Sequence, residues 1–143
     1  MKKGKFLSEN FDSVETIDAN SNYVSPGFID LHIHGSGGAG YMKCDTYDPG
    51  GGKVIVESSK AIFEDGTLAG SVLKLNEALK NLSTVTSMTV DKAANAVTKI
   101  PANKLGLKKG ELKERYDSDI VIFDENFSII STIVSGKFKY QRN

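Results

Sequence analysis

Apolar and polar positions follow two rhythms along this chain. Leu68, Val72, Leu75, Leu79 and Leu82 fall three or four residues apart. That spacing is one face of a 3.6-residue period and predicts a helix over 68–82, with Gly70 and Ser71 leaving open a start only at Ser71. Val90, Ala93, Ala94, Val97 and Ile100 repeat the rhythm. They predict a second helix with Thr89 as N-cap and Asp91 in the first turn, where the helix dipole favours negative charge. Pro101 either ends this helix or starts a short new turn through Leu105.

The other rhythm is that of strands. Val14 to Ile17 alternates briefly, and Asp18 to Asn22 is turn chemistry. Pro26-Gly27 then opens an apolar, β-branched run, Phe28 to His34, which predicts a strand. Gly35 to Gly40 is a loop with little side-chain volume, and residues 41–52 show no period before ending in Gly50-Gly51-Gly52. Lys53 to Val56 and Ala61 to Phe63 predict a hairpin around Glu57 to Lys60, closed by Glu64 to Thr67. The last third predicts three strands, Ile120–Phe123, Ile129–Val134 and Lys137–Tyr140. Asp124-Glu125-Asn126 turns between the first two, and Ser135-Gly136 is a two-residue hairpin signal between the last two. The fold class this implies is α+β, with strands from both chain ends and two helices.

Composition narrows the partners. The chain has 143 residues, with 18 basic and 18 acidic side chains, so its formal net charge is zero. A dedicated nucleic-acid binder would carry a basic excess or stripe, so no nucleic acid is expected as partner. The apolar runs are a few residues long, far short of the ~20 that span a bilayer, and the start Met1-Lys2-Lys3-Gly4-Lys5 leads into no apolar stretch. The single cysteine, Cys44, excludes an intrachain disulfide and fits a reducing compartment, so the expected location is cytoplasmic. The length suffices for one ordinary domain but not for a complete (β/α)₈ barrel, which needs at least ~200 residues.

His32 and His34 are the two histidines of the chain. At i and i+2 on a strand both rings point to one face, a geometry that suits two imidazoles gripping one metal ion, and Asp30 points the same way. The competing reading is a pair of solvent-facing histidines at a strand end, because H-x-H is common by chance. A catalytic zinc takes three protein ligands plus water, so a third ligand would have to be Cys, Asp or Glu. Cys44 and Asp45 are near in sequence, although a lone cysteine is more often a small apolar residue. The loop Gly35 to Gly40 lacks the Gly-Lys-Ser/Thr ending of a phosphate-cradling P-loop. Asp65 to Ser71 reads as a glycine-flanked turn into a helix, whose exposed N–H groups suit an anion or a sugar hydroxyl, or as a plain helix entry.

Several stretches together resemble one family. Pro26-Gly27-Phe28-Ile29-Asp30-Leu31-His32-Ile33-His34 is similar to the first barrel strand of the amidohydrolase superfamily. Asp65 to Ser71 followed by Leu75-Asn76-Glu77-Ala78 resembles the segment after the last barrel strand of the N-acetylglucosamine-6-phosphate deacetylases. Pro101 to Leu107 resembles that family's final helix, and Gly110 to Asp124 with Thr132 to Lys137 resembles its closing β-sandwich strands.

The resemblance implies a hydrolase that removes acetate from N-acetylglucosamine 6-phosphate, an amino-sugar phosphate. It implies a (β/α)₈ barrel with a small β-sandwich built from both chain ends, and one or two divalent metal ions (zinc, iron or manganese) that activate water. On that basis His32 and His34 are metal ligands and Leu68, Ala69 and Gly70 lie against the sugar. The family's other metal ligands and its catalytic Asp fall between the first and last barrel strands, an interval absent here, with the junction near Met42 to Thr46. The expected organisation is 1–25 as partial N-terminal sandwich strands, 26–42 as first barrel strand and glycine loop, 43–107 as hairpin and last barrel helices, and 108–143 as C-terminal sandwich strands. No residue of the chain is assigned as catalytic, the chain by itself is expected to be inactive, and its helices, deprived of a barrel, are expected to favour self-association.

Overall fold

The structure, a computed structural model, describes residues 16–32, 35–36, 39–40, 46–47, 54–57 and 60–142. Val14, Glu15, Ile33, His34, Cys44, Asp45, the glycines at 50–52 and Lys53 lie outside the described residues. The chain divides into two compact units, Met1–Asp30 with Leu75–Asn143, and Leu31–Lys74.

The first unit is a helix layer on an antiparallel sheet. Strands β1 (Tyr23–Pro26), β8 (Ile120–Phe123), β9 (Ile129–Val134) and β10 (Lys137–Gln141) lie in that order. Between β1 and β8 the register pairs Tyr23 with Phe123 and Pro26 with Ile120. The sheet therefore joins a strand near the start of the chain to three near its end. Pro26 can close β1 because it has no N–H to give a ladder and belongs at a strand end. Ser135 and Gly136 both have positive φ, 50° and 75°, the signature of the tight turn that joins β9 to β10 as expected.

Helix α1 (Leu75–Thr86) lays Leu75, Leu79 and Leu82 on the sheet, at i, i+4 and i+7. Leu79 is fully buried, and with Ala93, Ala94, Val97, Val121, Phe123 and Phe127 it forms the core. Burying one leucine of this kind stabilises by roughly 2 kcal/mol.

The second expected helix is broken into pieces: α2 (Val90–Ala94), a single 3₁₀ turn (Asn95–Val97) and α3 (Lys99–Lys104). Pro101 is the cause. It has no N–H to return to the Val97 carbonyl, and it is tolerated only in the first turn of a helix, so the chain restarts at Lys99. Thr98, at φ −130° and ψ −84°, is the joint, and its hydroxyl donates back to the Ala94 carbonyl at 2.7 Å. Ile100, expected on the apolar face, is turned outward and is 61% exposed. Thr89 starts α2 without a side-chain cap; its hydroxyl instead bonds the Asp91 carboxylate and holds that carboxyl below its ordinary range.

In the second unit β2 (Gly35–Ser36) pairs with β3 (Ala39–Gly40), so the glycine stretch is a minimal strand pair rather than a plain loop. Four further strands, β4 (Thr46–Tyr47), β5 (Val54–Glu57), β6 (Lys60–Phe63) and β7 (Leu68–Ser71), form an antiparallel meander. Its small core is Val54 and Ala61 with Phe63, Ala69 and Val72. The expected β5–β6 hairpin is present.

Three further expectations fail. The helix does not begin at Leu68 or Ser71: residues 68–71 are β7, and α1 starts at Leu75. The turn before β7 decides this. Gly66 sits at φ +84°, its N–H donates to the Phe63 carbonyl, and the Phe63 N–H donates to the Thr67 carbonyl. The chain is thereby folded back on β6 before any helical turn can close. Leu68 and Val72 matched the helical period only by coincidence with the alternation of a strand.

Residues 28–32, expected to open a strand, lie outside any strand. A strand exists only through pairing, and the Ile29 N–H is spent on the Val97 carbonyl at 2.8 Å. Ile17, expected to end a strand, is outside any strand and 43% exposed.

Candidate functional site

The segment with the metal-ligand pattern is held by its backbone. Gly27 donates its N–H to the Asp119 carbonyl at 2.9 Å and Ile29 to Val97, which fixes 27–29 in the first unit. Gly27 is required here, since a Cβ at this position would lie 2.8 Å from the Asp119 Cβ. Phe28 packs on the core, with its ring centroid 5.9 Å from that of Phe123. Beyond Asp30 the chain enters the second unit, and His32 is exposed there. His34 lies outside the described residues.

Among the described residues no three His, Cys, Asp or Glu side chains come together as a metal group. The described donors therefore do not complete the three-ligand site of a catalytic zinc.

Leu68, Ala69 and Gly70 stand on β7, the outermost strand of the meander. Leu68 is 67% exposed, whereas Ala69 and Gly70 are half-buried. Opposite β6 the register runs Lys60 to Ser71, Ala61 to Gly70 and Ile62 to Leu68, with a bulge between Ala61 and Ile62. That replaces the helix-start reading of Asp65 to Ser71: residues 68–71 form a strand, and no helix dipole stands behind them. Asp65 Oδ1 accepts the Thr67 N–H at 2.8 Å, and this bond holds the Asp65 carboxyl below its ordinary range.

Among the described residues, clefts open on the first unit. One, of about 600 Å³, includes Phe28, Ile29, Asn76, Lys109, Thr132 and Ile133 in its wall. Lys109 is not a free anion ligand there. Its Nζ binds the Asp119 carboxylate and lies 3.0 Å from Asp117. Asp119 also accepts the Ser135 N–H at 2.8 Å, so this cluster ties the loop before β8 to the turn after β9. Sequence reasoning missed it; the alternating acids Asp117 and Asp119 just before β8 were the available signal.

Another cleft, about 920 Å³, runs beside β1 past Tyr23, Thr89, Asp91 and Lys99. Lys99 and Glu111 pair across it at 2.9 Å, and the Lys99 hydrogen bond holds the Glu111 carboxyl below its ordinary range.

Among the described residues no helix is long and apolar enough to cross a membrane.

A profile of the amidohydrolase family matches residues 53–139. The chain is 38% identical over 103 residues to an N-acetylglucosamine-6-phosphate deacetylase of Lysinibacillus sphaericus, covering 71% of this chain and 27% of that protein. It is 34% identical over 101 residues to an N-acetylglucosamine-6-phosphate deacetylase of Bacillus subtilis (strain 168), covering 69% and 26%. The crystal structure of an N-acetylglucosamine-6-phosphate deacetylase from Thermotoga maritima superposes with a TM-score of 0.61 at 31% identity, over 68% of this chain and 27% of that one. The chain thus spans about a quarter of the length of the curated relatives it matches. On the matched profile, and with relatives that agree with it in sequence and in fold, the chain belongs to the amidohydrolase family.

Proposed function

We propose that this chain is part of a metal-dependent hydrolase that removes acetate from N-acetylglucosamine 6-phosphate, and that its 143 residues alone are inactive. The observation that carries the first half is the 38% identity over 103 residues to a protein of that name. The second half rests on the donor set: His32 and His34 supply two ligands where a catalytic zinc takes three, and the resemblance puts the catalytic Asp in the interval between the first and last barrel strands, absent here.

In the intact enzyme His32 and His34 hold one divalent ion, zinc, iron or manganese. Leu68, Ala69 and Gly70 meet the sugar from β7. Residues 1–25 and 108–143 belong to the small β-sandwich, 26–42 to the first barrel strand and glycine loop, and 43–107 to the hairpin and last barrel helices. Residues 28–32 then become a strand only when a second barrel strand lies beside them. The protein works in the cytoplasm.

The competing reading is a non-catalytic module, and one observation favours it: the first unit closes a core of its own, from Leu79 to Phe127. The direct experiment is acetate release from N-acetylglucosamine 6-phosphate by the purified chain with zinc, iron(II) or manganese(II). No release above a protein-free blank is expected, and metal-dependent release would overturn the inactivity. Inserting the Lysinibacillus relative's intervening segment between Met42 and Thr46 separates the two readings. Acetate release that disappears with His32→Asn supports the deacetylase. A folded, metal-loaded chimera without activity supports the module.

A further inference from the structure

Asp65 and Gly66 form an Asp-Gly pair at the tip of the β6–β7 hairpin, and both residues are exposed. Among Asp-X pairs this one is the most prone to backbone rearrangement, because glycine puts no side chain in the way of its own nitrogen. Around Gly66 there is indeed no heavy atom within 4 Å of where a Cβ would stand. In the rearrangement the Gly66 nitrogen bonds to Asp65 Cγ. The carboxyl hydroxyl leaves with the amide proton as water, and a five-membered succinimide closes. Water then opens the ring. Attack at Cγ restores aspartate, and attack at the former backbone carbonyl leaves isoaspartate, with the main chain now running through the side-chain carbon. The sum is an isomerisation that needs no other reactant.

In the folded hairpin both reacting groups are occupied. The Gly66 N–H donates to the Phe63 carbonyl at 2.9 Å, so the nucleophile is turned into the loop. Asp65 Oδ1 accepts the Thr67 N–H at 2.8 Å, which draws the carboxyl past Gly66 to the next residue. Asp65 is also held ionised, chiefly by that Thr67 bond, and a carboxylate is a poor electrophile. The turn thus spends on its own hydrogen bonds the groups that cyclisation needs.

We propose that Asp65–Gly66 is a site of spontaneous isoaspartate formation that the folded hairpin keeps closed, and that opening of the β6–β7 turn releases it. The lesion is then self-sustaining. An extra backbone carbon between residues 65 and 66 breaks the Phe63–Gly66 and Phe63–Thr67 bonds that define the turn. On the functional reading given above, it also displaces Leu68 to Gly70 from the substrate; the chemistry itself does not depend on that reading.

The test incubates the full chain at neutral pH and 37 °C, folded and in concentrated urea, and follows isoaspartate by peptide mapping with electron-transfer fragmentation. Isoaspartate at residue 65 is expected to build up about tenfold or more slowly in the folded chain than in urea, since cyclisation must wait for local opening. In urea Gly66→Ala is expected to slow it, which fixes the signal to this dipeptide. Equal rates in the two states would overturn the protection, and no isoaspartate at residue 65 in urea would overturn the site. The chain needs no activity for this readout, so the result stands apart from any acetate assay.

Discussion

The Ile29 amide donates to the Val97 carbonyl at 2.8 Å, and this carbonyl is the one that Pro101 leaves without a helical donor. A continuous helix would have used it for residue 101. The broken helix and the tethered His-bearing segment are therefore two sides of one substitution pattern. With Pro101→Ala an N–H appears that competes for Val97. The Ile29 amide is then expected to exchange with solvent roughly fivefold faster, the equivalent of about 1 kcal/mol of hydrogen bond. Residue-resolved hydrogen exchange measures this, and an unchanged Ile29 rate would show that Pro101 does not govern the tether.

The sheet is locked to its neighbours through Phe123. Its ring stacks on Tyr23, centroids 5.3 Å apart, and on Phe127 at 5.7 Å. Phe123 is 1% exposed, whereas Tyr23 is 44% exposed. Phe123→Ala is expected to cost about 3–5 kcal/mol in urea unfolding, a large fraction of any small domain's stability. Tyr23→Ala, at the rim of the same stack, is expected to cost about 1 kcal/mol. Similar losses for the two would show that the stack is not organised around Phe123.

Two glycines with positive φ separate backbone strain from steric clash. Gly66 at +84° faces open space, while Gly110 at +75° would put a Cβ 2.5 Å from the Thr98 carbonyl oxygen and 2.9 Å from Ala102 Cβ. Gly66→Ala is expected to cost about 1–2 kcal/mol, the price of a left-handed alanine. Gly110→Ala adds a collision with backbone at the joint between the 3₁₀ turn and α3, and is expected to unfold the first unit or lower its melting temperature several times as much. Comparable shifts for the two variants would mean that the Thr98 joint yields freely.

Much of the fold was legible because it was local. The three C-terminal strands and their turns stand where alternation and the Ser135-Gly136 pair put them. Leu75, Leu79 and Leu82 bury one helical face as their spacing implies. What was not legible depended on partners. Leu68 continued the helical spacing by chance, and only the Gly66 turn and pairing with β6 assign it to a strand. Phe28 to His32 has strand composition, but composition cannot supply a neighbouring strand. The candidate site was legible as a motif and not as a site, because ligands distant in sequence converge only through a complete fold, and His32 has no described metal cluster around it. The Lys109–Asp117–Asp119 cluster left only the alternating acids before β8 as a signal, and nothing in the sequence pairs them with a lysine eight and ten residues earlier.

Acid is expected to loosen the β8–β9 turn. Asp124 Oδ1 accepts the N–H of Ser128 at 2.9 Å and of Asn126 at 3.0 Å, and Oδ2 faces the Arg142 guanidinium at 3.4 Å. These bonds, the Ser128 N–H foremost, hold the folded carboxyl below its usual value of 3.8. A carboxyl depressed on folding stabilises the fold above its unfolded pKa, and that contribution is lost as pH falls through the folded value. Stability is therefore expected to hold at neutral pH and to fall in the window below about pH 4, where Asp65, Asp91 and Glu111, whose carboxyls are also lowered, add to the loss. Asp124→Asn keeps an acceptor for the turn but removes the charge. It should be less stable than the natural chain at pH 7, and the gap should close as pH falls below the folded value. Urea unfolding of both chains across pH 2 to 7 checks this, and a gap that stays constant through the acid range would show that the Asp124 charge contributes nothing to folding.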